Sequence, residues 1–512
     1  MRLGKGERIY DCICELQAPH SFIWHADSKA PLNSQSPLLW RRPKTLRIQL
    51  CSIFRRKPET NSALKRLRRS TVKSIQRYTQ KSKVNLIEEL TKIAVDVMPH
   101  LIGVVKLQIM SCSDCEISFT SSELEFHKSK HSNLLIHRIW NIFKTQLHQV
   151  EIDCPVELVT QLRLPTSSHF TSLESFSFKT HSPLTPHLIY VPPHAEVLSR
   201  KVVPFLQGHR STLCDVSLTI STFLIDTSLI FQCLQAMPLL DRLEISFPFI
   251  SMAKTPFHRY PVLVAHADSL KSLTLLFGIC PDSCVQGPPF FSQDWCLVDL
   301  PHLTNLTLAP PRMFFCPSFA NYVHRFSTSL VSLTVLYDPE LKYMDVKEFC
   351  KTLVEFQSLR RLDLSVLGFS PTVLAEFARA LPRLRSLILN HRFICPYRDQ
   401  DCCVTLLHEL VSWLILAPFY TLDSCIYTQF LRELKEYAEL FSQWELESLA
   451  YLPNIYGDPL HGSHLYLLLE TQNMLAEYLP NVQQFGRVGR EAFARKRLWG
   501  ERLPSSRWPP EL

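Results

Sequence analysis

The chain has 512 residues, of which 46% are hydrophobic and 11% aromatic, and its formal net charge is +8. This apolar content suffices for a folded core and argues against global disorder. Only 12 glycines are present and no G-x-x-x-x-G-K-[ST] motif occurs, which disfavours the familiar nucleotide-binding loops. The N-terminal MRLGKGERIYDC lacks an apolar signal-peptide core, so we expect an intracellular protein, cytoplasmic or nuclear, with no membrane partner.

Residues 41–95, which follow the segment 1–40, are basic. Between Arg41 and Lys83 fifteen lysines and arginines accompany the single acid Glu59, a local balance of +14. Such a concentration suits phosphate, a lipid headgroup, an acidic partner or import machinery that reads Lys65 to Arg69. A solvated helix face or a linker explains the same charge equally well.

Residues 96–395 repeat a hexad of the form apolar-x-x-apolar-x-apolar. The last six copies begin 30, 33, 27, 29 and 25 residues apart, close to the period of about 20–29 residues that is typical of leucine-rich repeats. The ten copies are Val104/Leu107/Ile109, Leu147/Val150/Ile152, Leu173/Phe176/Phe178, Leu213/Val216/Leu218, Leu240/Leu243/Ile245, Leu270/Leu273/Leu275, Leu303/Leu306/Leu308, Leu330/Leu333/Val335, Leu359/Leu362/Leu364 and Leu384/Leu387/Leu389.

The hexad predicts one short strand per repeat, since the last two apolar positions point to the same side of a strand. Helical periodicity precedes two of the copies, in the segments 346–356 and 373–381. Pro371 lies near the start of the second predicted helix, where its missing N–H costs least. We therefore predict an α/β fold: an irregular leucine-rich repeat solenoid, a ribonuclease-inhibitor-like horseshoe, with helical N- and C-terminal flanks.

After Arg392 the periodicity changes to that of longer helices. Apolar residues recur at helical spacing between Phe430 and Trp444, and a second stripe runs from Leu468 to Leu479. We predict that residues 396–485 form a helical cap over the end of the solenoid, because terminal repeats need one. Residues 486–512 are basic and end in prolines and serines, which predicts a mobile tail.

The hexads LRRLDL at Leu359 and LRSLIL at Leu384 resemble those of the fungal F-box and leucine-rich repeat proteins. The segment Arg8 to Leu16 looks like a first F-box helix, and Ser36 to Ile48 looks like the stretch that leads into the first repeat. Residues 20–35 depart from the pattern, with Pro31 and no helical period, so the F-box within residues 1–40 is degenerate, truncated or missing. The resemblance implies a substrate receptor that docks onto the linker subunit of an SCF ubiquitin ligase.

A Cys/His spacing offers a competing interpretation. Cys112, Cys115, His127 and His131 have the ligand types and roughly the spacing of a two-Cys, two-His zinc finger, with a gap of eleven residues instead of twelve. Cys112 is also explained as the repeat's own cysteine, three residues after Ile109. We do not predict a metal site here. A nucleic-acid binder that uses Arg41 to Lys83 and this finger remains the alternative function.

Other chemistry finds little support in the sequence. The 17 cysteines and scattered histidines such as His266 are better interpreted as core or surface residues than as ligands or bases. No hydrolase elbow or zincin motif is present. We therefore predict no enzyme activity and no cofactor.

The middle residue of each hexad should point away from the core, because successive side chains of a strand alternate. On the concave face of the predicted solenoid these positions form a small, polar and slightly acidic strip that we predict binds another protein, with the acids favouring a basic ligand. The predicted partner-binding residues are Glu151, Ser177, Ser217, Glu244, Thr274, Thr307, Thr334 and Asp363.

Overall fold

The fold is known from a computed structural model. It describes residues 45–50, 104–111, 137–155, 159, 162, 164–165, 170–181, 194–220, 235–247, 262–277, 291, 297–309, 317–336, 341–394, 420–453, 471–486 and 488–489. The chain divides into two compact units, Met1–Leu270 and Lys271–Leu512, called here the N-terminal unit and the C-terminal unit.

Among the described residues of the N-terminal unit, six strands pair in parallel, each with the next along the chain. They are β1 (Thr45–Leu50), β2 (Lys106–Ser111), β3 (Gln149–Pro155), β4 (Ser175–His181), β5 (Asp215–Ile220) and β6 (Arg242–Phe247). Helix α1 (His194–Gly208) lies between β4 and β5, and the short α2 (Val262–Ala265) follows β6. Residues 137–142 are also helical.

The C-terminal unit also has strands that follow one another in chain order. Its strands are β7 (Ser272–Phe277), β8 (Asn305–Ala309), β9 (Ser332–Val335), β10 (Arg361–Phe369), β11 (Ser386–Ile394), β12 (Ser448–Pro453), β13 (Gln484–Phe485) and β14 (Val488–Gly489). Neighbours from β7 to β13 pair in parallel, and β14 returns antiparallel to β13. The class is α/β with an open, parallel sheet.

Helices of the C-terminal unit alternate with these strands. They are α3 (Pro317–His324), α4 (Tyr343–Leu353), α5 (Pro371–Ala380), α6 (Tyr420–Glu436) and α7 (Ala438–Gln443), and residues 471–478 are helical as well. Helix α5 begins as its sequence predicts, because Pro371 occupies the first turn and the Ser370 hydroxyl accepts the Val373 N–H at 3.2 Å. Helix α4 packs against α3 and α5, and its Phe349 ring lies 5.8 Å from that of Phe319.

The hexads form the core of each unit. All thirty of their apolar residues are at most 1% exposed, so the predicted strand register is confirmed. Burying a leucine or isoleucine in this way contributes about 1.5–3 kcal/mol. Each hexad strand, together with the segment that leads into it, is called here a turn. Because all three apolar positions recur in every turn, successive turns present the same row of apolar side chains to their neighbours.

A backbone ladder joins the turns. The carbonyl of the second hexad residue accepts two N–H groups of the next turn at 2.8–3.2 Å. This pair of hydrogen bonds recurs from Val105 to Cys214 in the N-terminal unit and from Lys271 to Glu447 in the C-terminal unit. The sheet is therefore built from equivalent turns and not only from similar strands.

Two parts of the sheet lie outside the predicted repeats. Strand β1 falls within the basic segment 41–95 and pairs with β2 over its whole length. In residues 396–485 the predicted helices are present, but α7 is followed by β12 and the helical residues 471–478 are followed by β13. The backbone ladder extends through Arg385 and Glu447, so these helix–strand pairs continue the series of turns.

Candidate functional site

The middle residues of the N-terminal strands lie side by side on one face of the sheet, called here the N-terminal face. Glu151 pairs in register with Ser177, Ser177 with Ser217, and Ser217 with Glu244. All four side chains are half-buried. On the same row, Gln108 is only 7% exposed, because its amide donates to Glu151 Oε2 at 2.6 Å. The structure therefore assembles these predicted residues into one continuous row.

Ion pairs neutralise most of the charge on the N-terminal face. Each pair joins side chains of neighbouring strands: Lys106 Nζ lies 3.1 Å from Glu151 Oε2, Lys179 Nζ lies 3.7 Å from Asp153 Oδ2, and Arg242 Nε lies 3.8 Å from Asp215 Oδ1. Such half-exposed pairs stabilise a fold by about 0–1 kcal/mol each. Their larger consequence is electrostatic, because a basic ligand meets acids that already have cationic partners.

Two acids of this face differ from the rest. Burial raises the pKa of Asp215, while Arg242 and a hydrogen bond from the Ser175 hydroxyl lower it in part. Glu244, in contrast, makes no ion pair with any described residue. Of the acids predicted to attract a basic ligand on the N-terminal face, Glu244 is the one whose charge is uncompensated within the described residues.

The corresponding face of β7 to β10, called here the C-terminal face, carries mostly uncharged side chains. Thr274, Thr307, Thr334 and Asp363 follow one another in register across β7 to β10. The row beside them begins with Ser272, Asn305 and Ser332, and the row on the other side begins with Leu276, Ala309 and Leu336. The part of the face on β7, β8 and β9 therefore carries hydroxyl, amide and apolar side chains and no charged group.

Asp363 is the one acid that sequence reasoning placed on the C-terminal face. Its pKa is raised by burial, an effect that the charge of Arg361 and a 3.2 Å hydrogen bond from the Asn390 amide partly offset. Because its carboxylate already accepts the Asn390 N–H and lies near Arg361, its capacity for a further cation is reduced.

The candidate zinc ligands fall outside the described residues. Cys112, Cys115, His127 and His131 all lie in the interval between Ser111 and residue 137. Within the described part of the chain, no group of three or more His, Cys, Asp or Glu residues is arranged to hold a metal ion. Cys154, Cys214 and Cys350 form no disulfide, and burial raises the pKa of Cys350 strongly.

The N-terminal signals also fall largely outside the described residues. Residues 1–44, with the F-box-like helix, and most of the basic segment are in this category, β1 being the exception. As for membranes, the described helices include none that is both long and apolar enough to cross a bilayer.

Sequence reasoning missed one polar feature at the edge of the C-terminal face. Four arginines, Arg360, Arg361, Arg383 and Arg385, lie on the adjacent turns that lead into β10 and β11. The signal was present in the sequence: Arg360, Arg361 and Arg385 lie within the hexads LRRLDL and LRSLIL, and Arg383 directly precedes the second. Interpreting those hexads only for their apolar period left the arginines without a role.

Comparison with known proteins leaves the family open: the chain matches no protein-family model, and no curated protein matches it.

Proposed function

We propose that this chain is a leucine-rich-repeat-type α/β solenoid that acts as a non-enzymatic scaffold and binds another protein through its exposed strand faces. The observation that carries the proposal is the shared register of the middle hexad residues, which arranges polar side chains in rows across successive turns. Repeat proteins use such extended surfaces for binding, because each turn adds one set of side chains at a fixed spacing. We place this activity in the cytoplasm or nucleus.

The uncharged part of the C-terminal face is the better docking surface of the two. Binding removes water from both partners, and removing it from ion-paired side chains costs more than removing it from hydroxyl groups or leucines. On β7 to β9 the face offers Thr274, Thr307 and Thr334 for hydrogen bonds, and Leu336 is 40% exposed beside them. The N-terminal face, whose ion pairs would have to be desolvated, then contributes through Ser177 and Ser217.

Co-purification with matched variants tests the faces. Tagged full-length protein would be purified from a eukaryotic extract, and its bound proteins quantified by mass spectrometry. Thr307→Arg with Thr334→Arg should reduce the recovered partner about tenfold or more, which corresponds to a loss of about 1.4 kcal/mol. Thr328→Arg with Ser442→Arg makes the same change in exposed side chains away from these rows and should preserve recovery.

The N-terminal face has its own pair of variants. Ser177→Arg with Ser217→Arg changes the middle row, and Thr171→Arg with Ser211→Arg changes exposed turn residues of the same unit. If both face variants retain every partner that the controls retain, the strand faces are not the binding surface and the proposal is wrong. Circular dichroism confirms that each variant is folded before its partners are compared.

We further propose that the partner on these faces is a ubiquitination substrate and that residues 1–40 dock the chain onto the SCF linker subunit. Support comes from the resemblance of Arg8 to Leu16 to a first F-box helix. Deleting Met1 to Trp40 should abolish co-purification of the linker and cullin while the face-bound partner is retained. Recovery of the partner but not of linker or cullin, with either form, would contradict the ligase role and leave the scaffold role standing.

A further inference from the structure

Four arginines lie close together in the backbone register where the chain enters β10 and β11. The Arg360 carbonyl accepts the N–H groups of Arg385 and Ser386, both at 2.9 Å, so Arg360 and Arg385 occupy equivalent positions in neighbouring turns. Arg361 pairs in register with Ser386, and Arg383 precedes Arg385 by two residues. We call these four residues the arginine cluster.

Most of this positive charge is uncompensated. Within the described residues the cluster makes a single ion pair, between Arg385 Nη1 and Glu447 Oε1 at 3.6 Å. Arg361, Arg383 and Arg385 are exposed, and Arg360 is half-buried. Arg361 also acts electrostatically on Asp363, where it offsets part of the rise in pKa that burial causes, but the two side chains form no ion pair. Three guanidinium groups thus remain available to an anion at this edge.

Arg360 is also held in position. Its Nη1 donates to the carbonyls of Gln357 at 3.0 Å and Leu359 at 3.2 Å, which fixes one branch of the guanidinium group and leaves the other free. A guanidinium fork of this kind matches the two oxygens of a carboxylate, and fixing it in advance reduces the entropy lost on binding.

The neighbouring turns limit the length of the anion. In the following turn, Glu445 and Glu447 occupy the positions that Arg383 and Arg385 occupy before β11, and in the preceding turn the equivalent residues are Ser329 and Val331. The positive surface is therefore two turns wide, with strands about 4.8 Å apart. A long polyanion such as a nucleic acid would extend over the two glutamates and be repelled by them. Two or three acidic residues of an extended peptide would not reach them.

We propose that the arginine cluster docks a short acidic segment, rich in aspartate and glutamate, of a partner protein. The cluster lies at the starts of the strands and not in the middle rows of the faces, so this inference stands independently of the proposed function. The acidic side chains would lie across β10 and β11, with one carboxylate on the fork of Arg360 and another between Arg361 and Arg383.

Direct binding to purified full-length protein tests the proposal. The probe is a fluorescent peptide with three consecutive glutamates between uncharged ends, measured by anisotropy, beside an equal-length peptide with glutamines in their place. We expect the glutamate peptide to bind and the glutamine peptide not to bind. Arg361→Gln with Arg383→Gln should weaken binding about tenfold or more, and Arg361→Lys with Arg383→Lys should weaken it less, because lysine keeps the positive charge at both positions.

The matched control removes two exposed cations elsewhere in the same unit. Lys347→Gln with Lys351→Gln changes the net charge equally on helix α4 and should alter peptide affinity less than about twofold. Equal weakening by both double variants would mean that only net charge matters and would overturn the proposal. So would failure of the glutamate peptide to bind, or tighter binding of a single-stranded oligothymidine that the arginine variant abolishes. Thermal unfolding of each variant confirms that the fold is unchanged.

Discussion

The two units differ in the residue that lies four positions before the strand hexad. In the N-terminal unit two of these residues are histidines, His209 before Leu213 and His266 before Leu270, and both are 1% exposed. His209 Nε2 accepts the Phe170 N–H at 3.1 Å, and its Nδ1–H donates to the Phe205 carbonyl at 2.8 Å. His266 Nδ1 accepts the Met237 N–H at 3.4 Å.

Both histidines therefore perform the same task. Phe170 and Met237 each lie three residues before the hexad of the preceding turn, so each imidazole connects its own turn to the one before it. A repeat with asparagine or cysteine at its consensus position connects turns in a comparable way. Here a ring nitrogen supplies the acceptor that a buried backbone N–H requires.

At two places the C-terminal unit uses aromatic side chains instead of histidine. Phe326 occupies the position four residues before Leu330 and packs edge-on against Tyr322, with ring centroids 5.3 Å apart. Trp444 connects the turn of β12 to the preceding one, because its Nε1–H donates to the Leu381 carbonyl at 2.9 Å. Equivalent turns are therefore joined by chemically different groups: protonation can break the buried histidine bonds of the N-terminal unit, but it cannot break the bond of Trp444.

The largest expected effect is loss of the shared hexad core. Leu362→Asp places an unpaired charge at a site that is 0% exposed, and we expect a cost of more than about 4 kcal/mol. Hydrogen exchange should show loss of protection in β9 to β11. Leu362→Met, which nearly conserves volume, should cost less than about 1.5 kcal/mol. A cooperatively folded Leu362→Asp protein would mean that the hexads are not the core.

The next effect separates the two kinds of connection. His209→Leu replaces the imidazole with an apolar side chain of similar size. It leaves the buried Phe170 N–H and the Phe205 carbonyl without their hydrogen-bond partner. We expect a loss of about 2–4 kcal/mol in the unfolding free energy of the N-terminal unit. His209→Gln should recover part of this loss, since its amide offers both a donor and an acceptor. Urea unfolding of the two variants measures the difference.

Trp444→Phe tests the corresponding bond in the C-terminal unit. It removes one buried donor and leaves the Leu381 carbonyl unpaired, so we expect a loss of about 1–3 kcal/mol. Because no titratable group takes part in this bond, the loss should be the same at pH 7.5 and pH 5.5. A loss that changes between these two pH values would contradict the contrast between the units.

The sequence predicted the parts of this fold that depend on local periodicity. The hexad leucines and helices α4 and α5 lie where their spacing predicted, since a period of 3.6 or 2 residues reflects burial on one side. Strands β1, β12 and β13 were not predicted as repeats. Their hexads are imperfect: Pro43 stands at the first position of one, Tyr451 at the last of another, and Arg487 at the last of the third.

The candidate site was predictable only in outline. Alternation along a strand placed Ser177, Glu244 and Thr307 on the faces. It could not predict that Glu151 would pair with Lys106 or that His266 would bind the backbone at Met237, because these contacts join residues of different turns that are far apart in the sequence. Variable intervals between hexads prevent such contacts from being deduced from spacing alone.

The smallest expected effect is the pH dependence that His266 contributes. Burial lowers the pKa of His266 below its ordinary 6.5. The unfolded chain therefore binds the proton first as the pH falls. Stability from this group is complete above pH 6.5, decreases as the pH falls from 6.5 to the lower folded pKa, and is constant below it.

A difference measurement isolates this group from other histidines, including His391, which is buried in the C-terminal unit beside Phe369 and Tyr451. Hydrogen exchange in β5 and β6 would be followed between pH 7.5 and pH 5.5, with the intrinsic exchange rates corrected for pH. Protection should fall less in His266→Gln than in the unaltered chain. His302→Gln, which removes an exposed histidine, should behave as the unaltered chain does. If His266→Gln leaves the pH dependence of the N-terminal unit unchanged, the bond between His266 and Met237 does not titrate in this range, and the contrast with the Trp444 bond fails at this position.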